Sequence, residues 1–224
     1  MIVTMQSAFP SAMFDPACRR CARLAAFLDE VRAAHPGYHA APVPPFGAPD
    51  ARLLVVGLAP GMHGANATGR PFTGDHAGIL LYATLHRFGF ASRPESHHAG
   101  DDLELNDCRI TNAVKCLPPQ NKPQPGEVAH CRDYLAAELA QLAPGAVVVA
   151  LGRIAHETLL RAWGLPLKAH AFAHGAEHAL EVPRVTLLDS YHCSRYNTQT
   201  RRLTPAMFAA VFERARALLD GTAS

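Results

Sequence analysis

Long hydrophobic runs are missing from this sequence of 224 residues. No stretch approaches the ~18 consecutive apolar residues that cross a membrane as a helix, so we expect no transmembrane segment and no membrane partner. The first residues, MIVTMQSAFPSAMF, also lack the basic start and long apolar core of a secretory signal. We therefore expect a cytoplasmic protein, whose six cysteines are reduced thiols or ligands rather than disulfides.

A strong charge of one sign is missing as well. The chain has 21 Lys and Arg residues against 19 Asp and Glu residues, which gives a formal net charge of +2. A nearly balanced charge provides no overall field, so an anionic partner has to be met by a local basic patch. Internal repeats are also missing, and the length predicts a single domain over residues 1–224.

Short apolar segments alternate with segments of helical periodicity. Apolar continuity predicts four buried parallel strands, at 53–56, 109–114, 146–152 and 185–188. Between them, apolar residues recur on one helical face, as in Leu80, Leu81, Leu85 and Phe88. This order predicts a three-layer α/β/α fold with a central, mostly parallel four-stranded sheet. In such folds the ligand binds beyond the carboxyl ends of the strands.

A loop rich in glycine and proline follows the first predicted strand, in the stretch LLVVGLAPGMHGANATGRPFTGD from Leu53 to Asp75. Glycine lets the backbone approach a ligand closely, and function concentrates on loops that a rigid sheet holds. The alternative is an ordinary surface loop. Asp75 has two interpretations of its own: a carboxylate that acts on a ligand, or the N-cap of the next helix.

Two further polar groups follow predicted strands. Asn112 lies near the end of the second strand, and the segment DSYHCSRYNTQTRRLT follows the fourth. Because parallel strands end at one edge of a sheet, the glycine-rich loop, Asn112 and this last segment are expected to form one site.

Four cysteines form a separate pattern. Cys18 and Cys21 are a C-x2-C pair at a helix start, and Cys116 and Cys131 flank the proline-rich segment LPPQNKPQPGE. Zinc ribbons usually contain two C-x2-C pairs, whereas a four-thiolate [4Fe–4S] site tolerates less regular spacing. An iron–sulfur site, a zinc site and scattered core cysteines all stay open on this pattern.

A histidine-rich segment precedes the fourth strand. His170, His174 and His178 are four residues apart, which on a helix would form one metal-binding face. Gly175 interrupts that helix, so we do not expect a metal face here.

Three motifs in order, together with the C-x2-C pair, carry a resemblance to a known family. They are GLAPGMHGANATGRPFTGD, ITNAVKCLPPQNKPQPGE with the Cys131 that follows, and HCSRYNTQTRRLT. With these motifs most of the chain resembles the iron–sulfur uracil-DNA glycosylases, and within them the family 5 branch, often called type b.

The resemblance implies a [4Fe–4S] cluster on Cys18, Cys21, Cys116 and Cys131. It also implies a monomeric, monofunctional glycosylase that hydrolyses the N-glycosidic bond of uracil in single- or double-stranded DNA and so initiates base excision repair. Deaminated purines such as hypoxanthine and xanthine are expected as further substrates. The pocket would be formed by Gly57, Ala59, Pro60, Gly61, His63, Phe72, Asn112 and His192.

Within that pocket the resemblance assigns roles to individual side chains. Phe72 would stack on the flipped base, Asn112 would read its Watson–Crick edge, and His192 would donate to a base carbonyl as negative charge develops there. Leu58 and Ala59 stand where other branches carry Glu or Asp, so Asp75 is the best remaining carboxylate and completes the catalytic set with His192 and Asn112.

DNA contacts are expected from polar and basic side chains of the first and last motifs: Asn66, Arg70, Ser194, Arg195, Asn197, Arg201 and Arg202. Tyr196 would wedge into the duplex, and a solvated basic turn is the alternative. Two departures from the family pattern are Cys193, where proline is common, and Ala67, where arginine is expected.

Three rival functions stay open. The first is a non-catalytic lesion-binding module of the same fold, which apolar Leu58 and Ala59 would favour. The second is a relative that links covalently to DNA through a histidine in a basic loop insertion, but no such insertion lies between Val185 and His192. The third is a zinc-containing nucleotide-binding protein.

Overall fold

The computed structural model describes residues 14–222, and its centre is a mixed sheet. The sheet has six strands in the order β1-β3-β2-β4-β6-β5. Their bounds are β1 Phe46–Gly47, β2 Leu53–Gly57, β3 Cys108–Asn112, β4 Ala146–Leu151, β5 Glu177–Glu181 and β6 Arg184–Ser190. The strands β3, β2, β4 and β6 pair in parallel, whereas β1 and β5 are antiparallel edge strands.

Helices cover both faces of the sheet. Their bounds are α1 Ala22–Ala34, α2 Ala65–Thr68, α3 His76–Arg87, α4 Pro125–Leu139, α5 Arg153–Ala162, α6 Arg195–Gln199 and α7 Pro205–Leu219. Helices α3 and α7 pack together on one face, and α4 and α5 pack together on the other. The predicted three-layer α/β/α fold is confirmed. Within residues 14–222, no helix is long and apolar enough to cross a membrane.

The strand β2 shows why the sheet is buried on both faces. Successive side chains of a strand point to opposite faces. Leu53 and Val55 accordingly belong to the core under α3 and α7, and Leu54 and Val56 to the core under α5. The continuous apolar sequence of β2 therefore follows from its central position.

The number of strands differs from the prediction. The four predicted strands form the parallel centre, but two edge strands extend the sheet to six. The strand β1 has only two residues and lies inside a proline-rich connector, so its sequence has no strand periodicity. In β5 only Leu180 is buried, because an edge strand exposes most of its side chains.

The parallel register brings the ends of three strands to one edge. Gly57 at the end of β2 lies opposite Asn112 at the end of β3. Ser190, which ends β6, lies opposite Leu151 of β4. The loop after β2, the end of β3 and the segment after β6 are therefore neighbours, as the sequence predicted.

Arg70 holds the glycine-rich loop against the segment 96–101. The sequence predicted that Arg70 contacts DNA, and the structure corrects that prediction. Its guanidinium is 6% exposed and pairs with Asp101 at 2.5 Å. It also donates to Ser96 Oγ at 3.1 Å and to the Ala99 carbonyl at 2.8 Å, and it lies over the ring of Phe46. A buried side chain with all these partners does not reach a phosphate.

Asn66 is the second correction. Its side chain is fully buried, and its amide nitrogen lies 3.5 Å from the Met62 carbonyl inside the same loop. Polar residues of a ligand loop can point outward to the ligand or inward to hold the loop. Asn66 and Arg70 point inward.

The Arg70–Asp101 pair is an electrostatic constraint on the loop. Burial opposes the charged form of Asp101, but Arg70 and the backbone N–H groups of His97, Leu103 and His98 hold the pKa of its carboxyl well below its usual range. A depressed carboxyl pKa stabilises the folded state above the unfolded value and loses that effect as the pH falls.

We predict that Arg70→Met lowers the free energy of unfolding by about 3–5 kcal/mol, because it leaves the Asp101 carboxylate buried without its partner. In the wild type, the stabilisation from this pair should be complete above about pH 4 and fade below it. Denaturant unfolding at neutral and acid pH measures both effects. The matched control is Arg93→Met in the loop that contains Asp101, because the ion pair of Arg93 with Asp102 is exposed. Equal stability of the two variants would contradict a structural role for Arg70.

Candidate active site

A cavity of about 790 Å³ opens where the strand ends meet. Nine of the sequence-predicted site residues line it: Ala59, Gly61, His63, Phe72, Asp75, Asn112, His192, Ser194 and Arg195. Gly57 and Pro60 are buried next to it without lining it. The cavity is therefore built from the first motif, the end of β3 and the start of the last motif.

Phe72 forms one wall in an unusual backbone conformation. Its φ is 54°, a region that bulky residues rarely adopt and that tends to persist at functional sites. Gly78 permits this turn, because a Cβ there would lie 1.8 Å from the Phe72 carbonyl oxygen. Tyr82 stabilises the same turn, because its hydroxyl donates to the Pro71 carbonyl at 2.8 Å.

Gly57 allows Phe72 and Asn112 to meet. A Cβ on Gly57 would lie 2.5 Å from Asn112 Oδ1 and 2.6 Å from the Phe72 ring. Asn112 is 3% exposed, and its Oδ1 accepts no hydrogen bond from the described residues. Buried polar atoms are nearly always paired, so this oxygen is a candidate acceptor for a ligand N–H group.

The two carboxylate oxygens of Asp75 have different surroundings. Its Oδ1 accepts from the Gly78 backbone N–H at 3.0 Å, which makes Asp75 the N-cap of α3. Its Oδ2 lies against Gly64 and Gly61, where Cβ atoms would approach it to 2.5 and 3.3 Å. One carboxylate oxygen therefore holds the helix, and the other lies against the glycines of the cavity loop.

His192 is the second ionisable group of the cavity. Its ring stacks against Phe72 with a centroid distance of 5.8 Å. Burial lowers the pKa of His192, and the Asp75 carboxylate partly opposes that shift. A lowered pKa keeps the imidazole neutral at pH 7, with one N–H group to donate.

The last motif supplies the rim of the cavity. Ser194 lines the cavity and caps α6. Asn197 does not line it but donates to the His192 carbonyl at 2.8 Å, so both side chains hold the loop. Tyr196 is 70% exposed, and Arg201 and Arg202 are exposed next to it. An exposed aromatic residue beside exposed arginines fits the expected DNA face.

Sequence reasoning missed a second cavity of about 290 Å³ on the other side of His192. Arg153 of α5 lies over Phe172 there, and Arg202 lies over Tyr191. The only sequence signal was Gly152, which stands at the end of a predicted strand directly before Arg153.

His76 was also missed as a cavity residue. Its Nε2 lies 3.0 Å from Thr198 Oγ1, which joins the start of α3 to α6 across the cavity. Its position directly after Asp75 was the available signal. The other lining residues outside the predicted set are Leu58, Met62, Gly64, Ala65, Gly74, Ala77 and Asn121.

The four predicted ligand cysteines lie together at a separate place. Cys18, Cys21, Cys116 and Cys131 line one small pocket between α1 and α4. Burial, together with the neighbouring thiols, raises the pKa of Cys21 to about 11 and that of Cys116 to about 12. His130 Nδ1 lies 3.6 Å from Cys21 Sγ. Cys108 and Cys193 are buried elsewhere in the core.

The spacing of the four sulfur atoms is wide. No three of them all lie within 4.8 Å of one another. A single zinc ion at the usual Zn–S distance would hold its four sulfur atoms ~3.8 Å apart. A four-iron cluster binds each thiolate at a different iron and so holds the sulfurs farther apart.

We predict that Asp75→Asn lowers the pKa of His192 further, because it removes the carboxylate that opposes the effect of burial. Nuclear magnetic resonance titration of the His192 ring measures this change. Asp102→Asn, at an exposed carboxylate, is the control and should leave the titration unchanged. An unchanged or raised pKa in Asp75→Asn would show that the two side chains do not interact.

Comparison with known proteins identifies the family. The profile of the Uracil DNA glycosylase superfamily matches residues 44–216. A Type-5 uracil-DNA glycosylase of Thermus thermophilus is 52% identical over 207 residues, which cover 90% of this chain and 94% of that protein. A Type-5 uracil-DNA glycosylase of Mycobacterium leprae is 43% identical over 209 residues, covering 90% of this chain and 91% of that protein.

A Type-4 uracil-DNA glycosylase of Archaeoglobus fulgidus is less similar, at 33% identity over 153 residues, which cover 67% of this chain and 69% of that protein. The profile spans the sheet and the cavity, and the Type-5 proteins match over nearly their whole length. The chain therefore belongs to the uracil DNA glycosylase superfamily and, within it, to the type-5 group.

Proposed function

We propose that this protein is a uracil-DNA glycosylase, which hydrolyses the bond between uracil and its deoxyribose in DNA. The observation that carries the proposal is the cavity itself. It places an unpaired amide oxygen on Asn112, the ring of Phe72, a neutral His192 and the Asp75 carboxylate around one space, in a chain of this family.

The amide of Asn112 matches the chemistry of a deaminated base. Uracil presents an N–H donor beside a carbonyl acceptor on its Watson–Crick edge. An asparagine side chain presents the complementary acceptor and donor side by side. Phe72 would stack on the ring of the flipped base, as enzymes that extrude a base require.

His192 and Asp75 would act at opposite ends of the breaking bond. The electron pair of that bond leaves with the base, so negative charge grows on the base and positive charge on the sugar. His192 would donate its N–H to a carbonyl oxygen of the base. Asp75 Oδ2 would stabilise the sugar and orient the water whose oxygen adds to the sugar carbon.

The substrate range would include larger bases than uracil. Hypoxanthine and xanthine carry the same adjacent N–H and carbonyl groups as uracil, so the Asn112 amide matches them equally well. A cavity of about 790 Å³ has room for a purine. We propose these deaminated purines as further substrates, in double- or single-stranded DNA.

DNA would bind along the rim formed by Ser194, Arg195, Asn197, Arg201 and Arg202, with Tyr196 as the wedge. Arg153, in the second cavity, lies on the same side of His192 as Arg202 and adds positive charge there. Such contacts would provide most of the affinity without reading sequence.

The four cysteines fit a [4Fe–4S] cluster. They form one group of four thiols, and no three of their sulfur atoms all lie within 4.8 Å of one another, whereas a single zinc ion would hold all four ~3.8 Å apart. Bound there, the cluster would supply covalent cross-links between α1, α4 and the segment after β3. That segment directly follows Asn112, the last residue of β3, so the cluster would help to position the base pocket.

The test is release of a free base. Duplex DNA with one uracil should yield free uracil and an abasic site, with both strands otherwise intact. The same duplex with cytosine at that position is the control. Tight binding of the uracil duplex without release of uracil would favour the lesion-binding alternative and overturn the proposal. The monomeric state, the single domain over residues 1–224 and the cytoplasmic location stay predictions of the sequence.

We predict that Asp75→Asn slows single-turnover release of uracil by about 100- to 1000-fold, the range for loss of one preorganised electrostatic group. Its melting temperature should stay close to that of the wild type, because Asn caps a helix as well as Asp does. Asp75→Ala should in addition lose about 1 kcal/mol of stability with the cap. A rate within a few-fold of the wild type in Asp75→Asn would leave Asp75 with a structural role alone.

We predict that Cys116→Ser loses bound iron and sulfide and most of the folded protein, since binding of a structural metal group is coupled to folding. Iron and sulfide content, brown colour and melting temperature measure the effect. Cys108→Ala is the control, because Cys108 lies in the core beneath α3 and α7 and should leave the cluster intact. Colourless wild-type protein with bound zinc would contradict the cluster.

A further inference from the structure

The histidine-rich segment 170–178 lies against the residues that lead into His192. The segment is not helical: a short 3-10 turn ends at Ala169, Gly175 has a φ of 79°, and β5 begins at Glu177. Backbone hydrogen bonds join it to β6, from Gly175 N–H to the Asp189 carbonyl at 2.8 Å and from Asp189 N–H to the Ala176 carbonyl at 2.9 Å.

Asp189 anchors the segment from inside the protein. Its carboxylate is fully buried and accepts from His156 Nδ1 at 2.7 Å and from His178 Nε2 at 3.1 Å, through different oxygens. His156 Nε2 donates to the His170 carbonyl at 2.8 Å. With an acceptor at each nitrogen, His156 carries both ring protons. These hydrogen bonds place N–H protons between the histidine nitrogens and the Asp189 oxygens. A metal ion shared by His156, His178 and Asp189 would have to lie in that same space.

His174 makes the contact that is closest to the active site. Its Nδ1 accepts from the backbone N–H of Tyr191 at 3.2 Å, and its ring stacks on the Tyr191 ring with a centroid distance of 5.1 Å. Burial lowers the pKa of His174, so its Nδ1 keeps the lone pair that this hydrogen bond needs.

The position of the His192 ring depends on hydrogen bonds to the backbone on both sides of it. The ring makes no hydrogen bond to any residue between 14 and 222, so its position is set by stacking on Phe72 and by the main chain on both sides. On one side Asn197 holds the His192 carbonyl, and on the other side His174 holds the N–H of Tyr191. Next to these contacts, Gly152 N–H donates to the Ser190 carbonyl, and Ser190 Oγ donates to the Tyr191 carbonyl.

We propose that His174 is a positioning residue, which fixes the backbone before His192 and thereby aims the His192 ring at the bound base. The inference rests on the proposed function, because it acts through the role given to His192. His174 itself does not touch the substrate, since it does not line the base cavity. Misplacement of a catalytic group by about 1 Å is enough to slow a reaction by ~100-fold.

Two substitutions separate the hydrogen bond from the stacking. His174→Phe keeps an aromatic ring against Tyr191 but removes the acceptor, and it should slow single-turnover release of uracil by about 10- to 100-fold. His174→Asn loses the ring but places an oxygen acceptor near the position of Nδ1, and it should recover most of the rate. His170→Phe in the same segment is the control, because the His170 ring makes no hydrogen bond to the described residues. Its rate should match that of the wild type.

A double-mutant cycle decides whether His174 acts through His192. If it does, His174→Phe should slow the wild type but add almost nothing to His192→Ala, since the ring that it aims is already gone. Equal slowing in both backgrounds would overturn the proposal, and so would a His174→Asn variant as slow as His174→Phe. Melting temperatures check folding, and His174→Leu repeats the cycle with a smaller side chain if His174→Phe does not fold.

Failure of the proposed function gives a different result, because the wild type then releases no uracil. Failure of the role given to His192 is distinguishable as well. If His192 has no role in the reaction, His192→Ala alone releases uracil at the wild-type rate. If His192 acts but His174 does not position it, His192→Ala is slow while His174→Phe is not.

Discussion

One close approach shapes the cavity at the sheet edge, and it requires that residue 57 has no side chain. The parallel register of β2 and β3 places Gly57 opposite Asn112, and the Phe72 ring fills the space where a Cβ would lie. The same glycine-rich loop turns back through Gly61 and Gly64 so that Asp75 reaches the cavity. Backbone packing at the sheet edge therefore brings the aromatic ring, the amide and the carboxylate together before any ligand binds.

Hydrogen bonds and burial give the neighbouring side chains Asp75 and His192 different surroundings. Asp75 is an N-cap through one oxygen and faces the cavity glycines with the other, so the oxygen on the cavity side is not used in holding the helix. Partial burial lowers the pKa of His192, although a carboxylate is near. Behind it, Asp189 fixes His156 and His178, and His174 fixes Tyr191. The side chains that line the cavity therefore lie in front of a layer that holds the backbone next to His192.

The sequence predicted the parts of this arrangement that depend on local pattern. Continuous apolar segments identified the four central strands, and their carboxyl ends identified the edge of the sheet where the cavity opens. The edge strands were missed because two residues of β1 and the mostly exposed β5 have no such pattern. Asn66 and Arg70 were wrongly assigned to DNA, because the direction of a loop side chain depends on partners elsewhere, such as Asp101. The spacing of His170, His174 and His178 gave no hint of their contacts with β6, which are tertiary.

The most direct test of the account is the structure of Asp75→Asn bound to duplex DNA that contains one uracil, since this variant should bind its substrate and release it slowly. The account predicts an extrahelical uracil that stacks on Phe72, with its N–H group in hydrogen-bond distance of Asn112 Oδ1 and a carbonyl oxygen in reach of the His192 ring. A uracil that stays stacked in the duplex, or that lies in the cavity with its Watson–Crick edge away from Asn112, would contradict it.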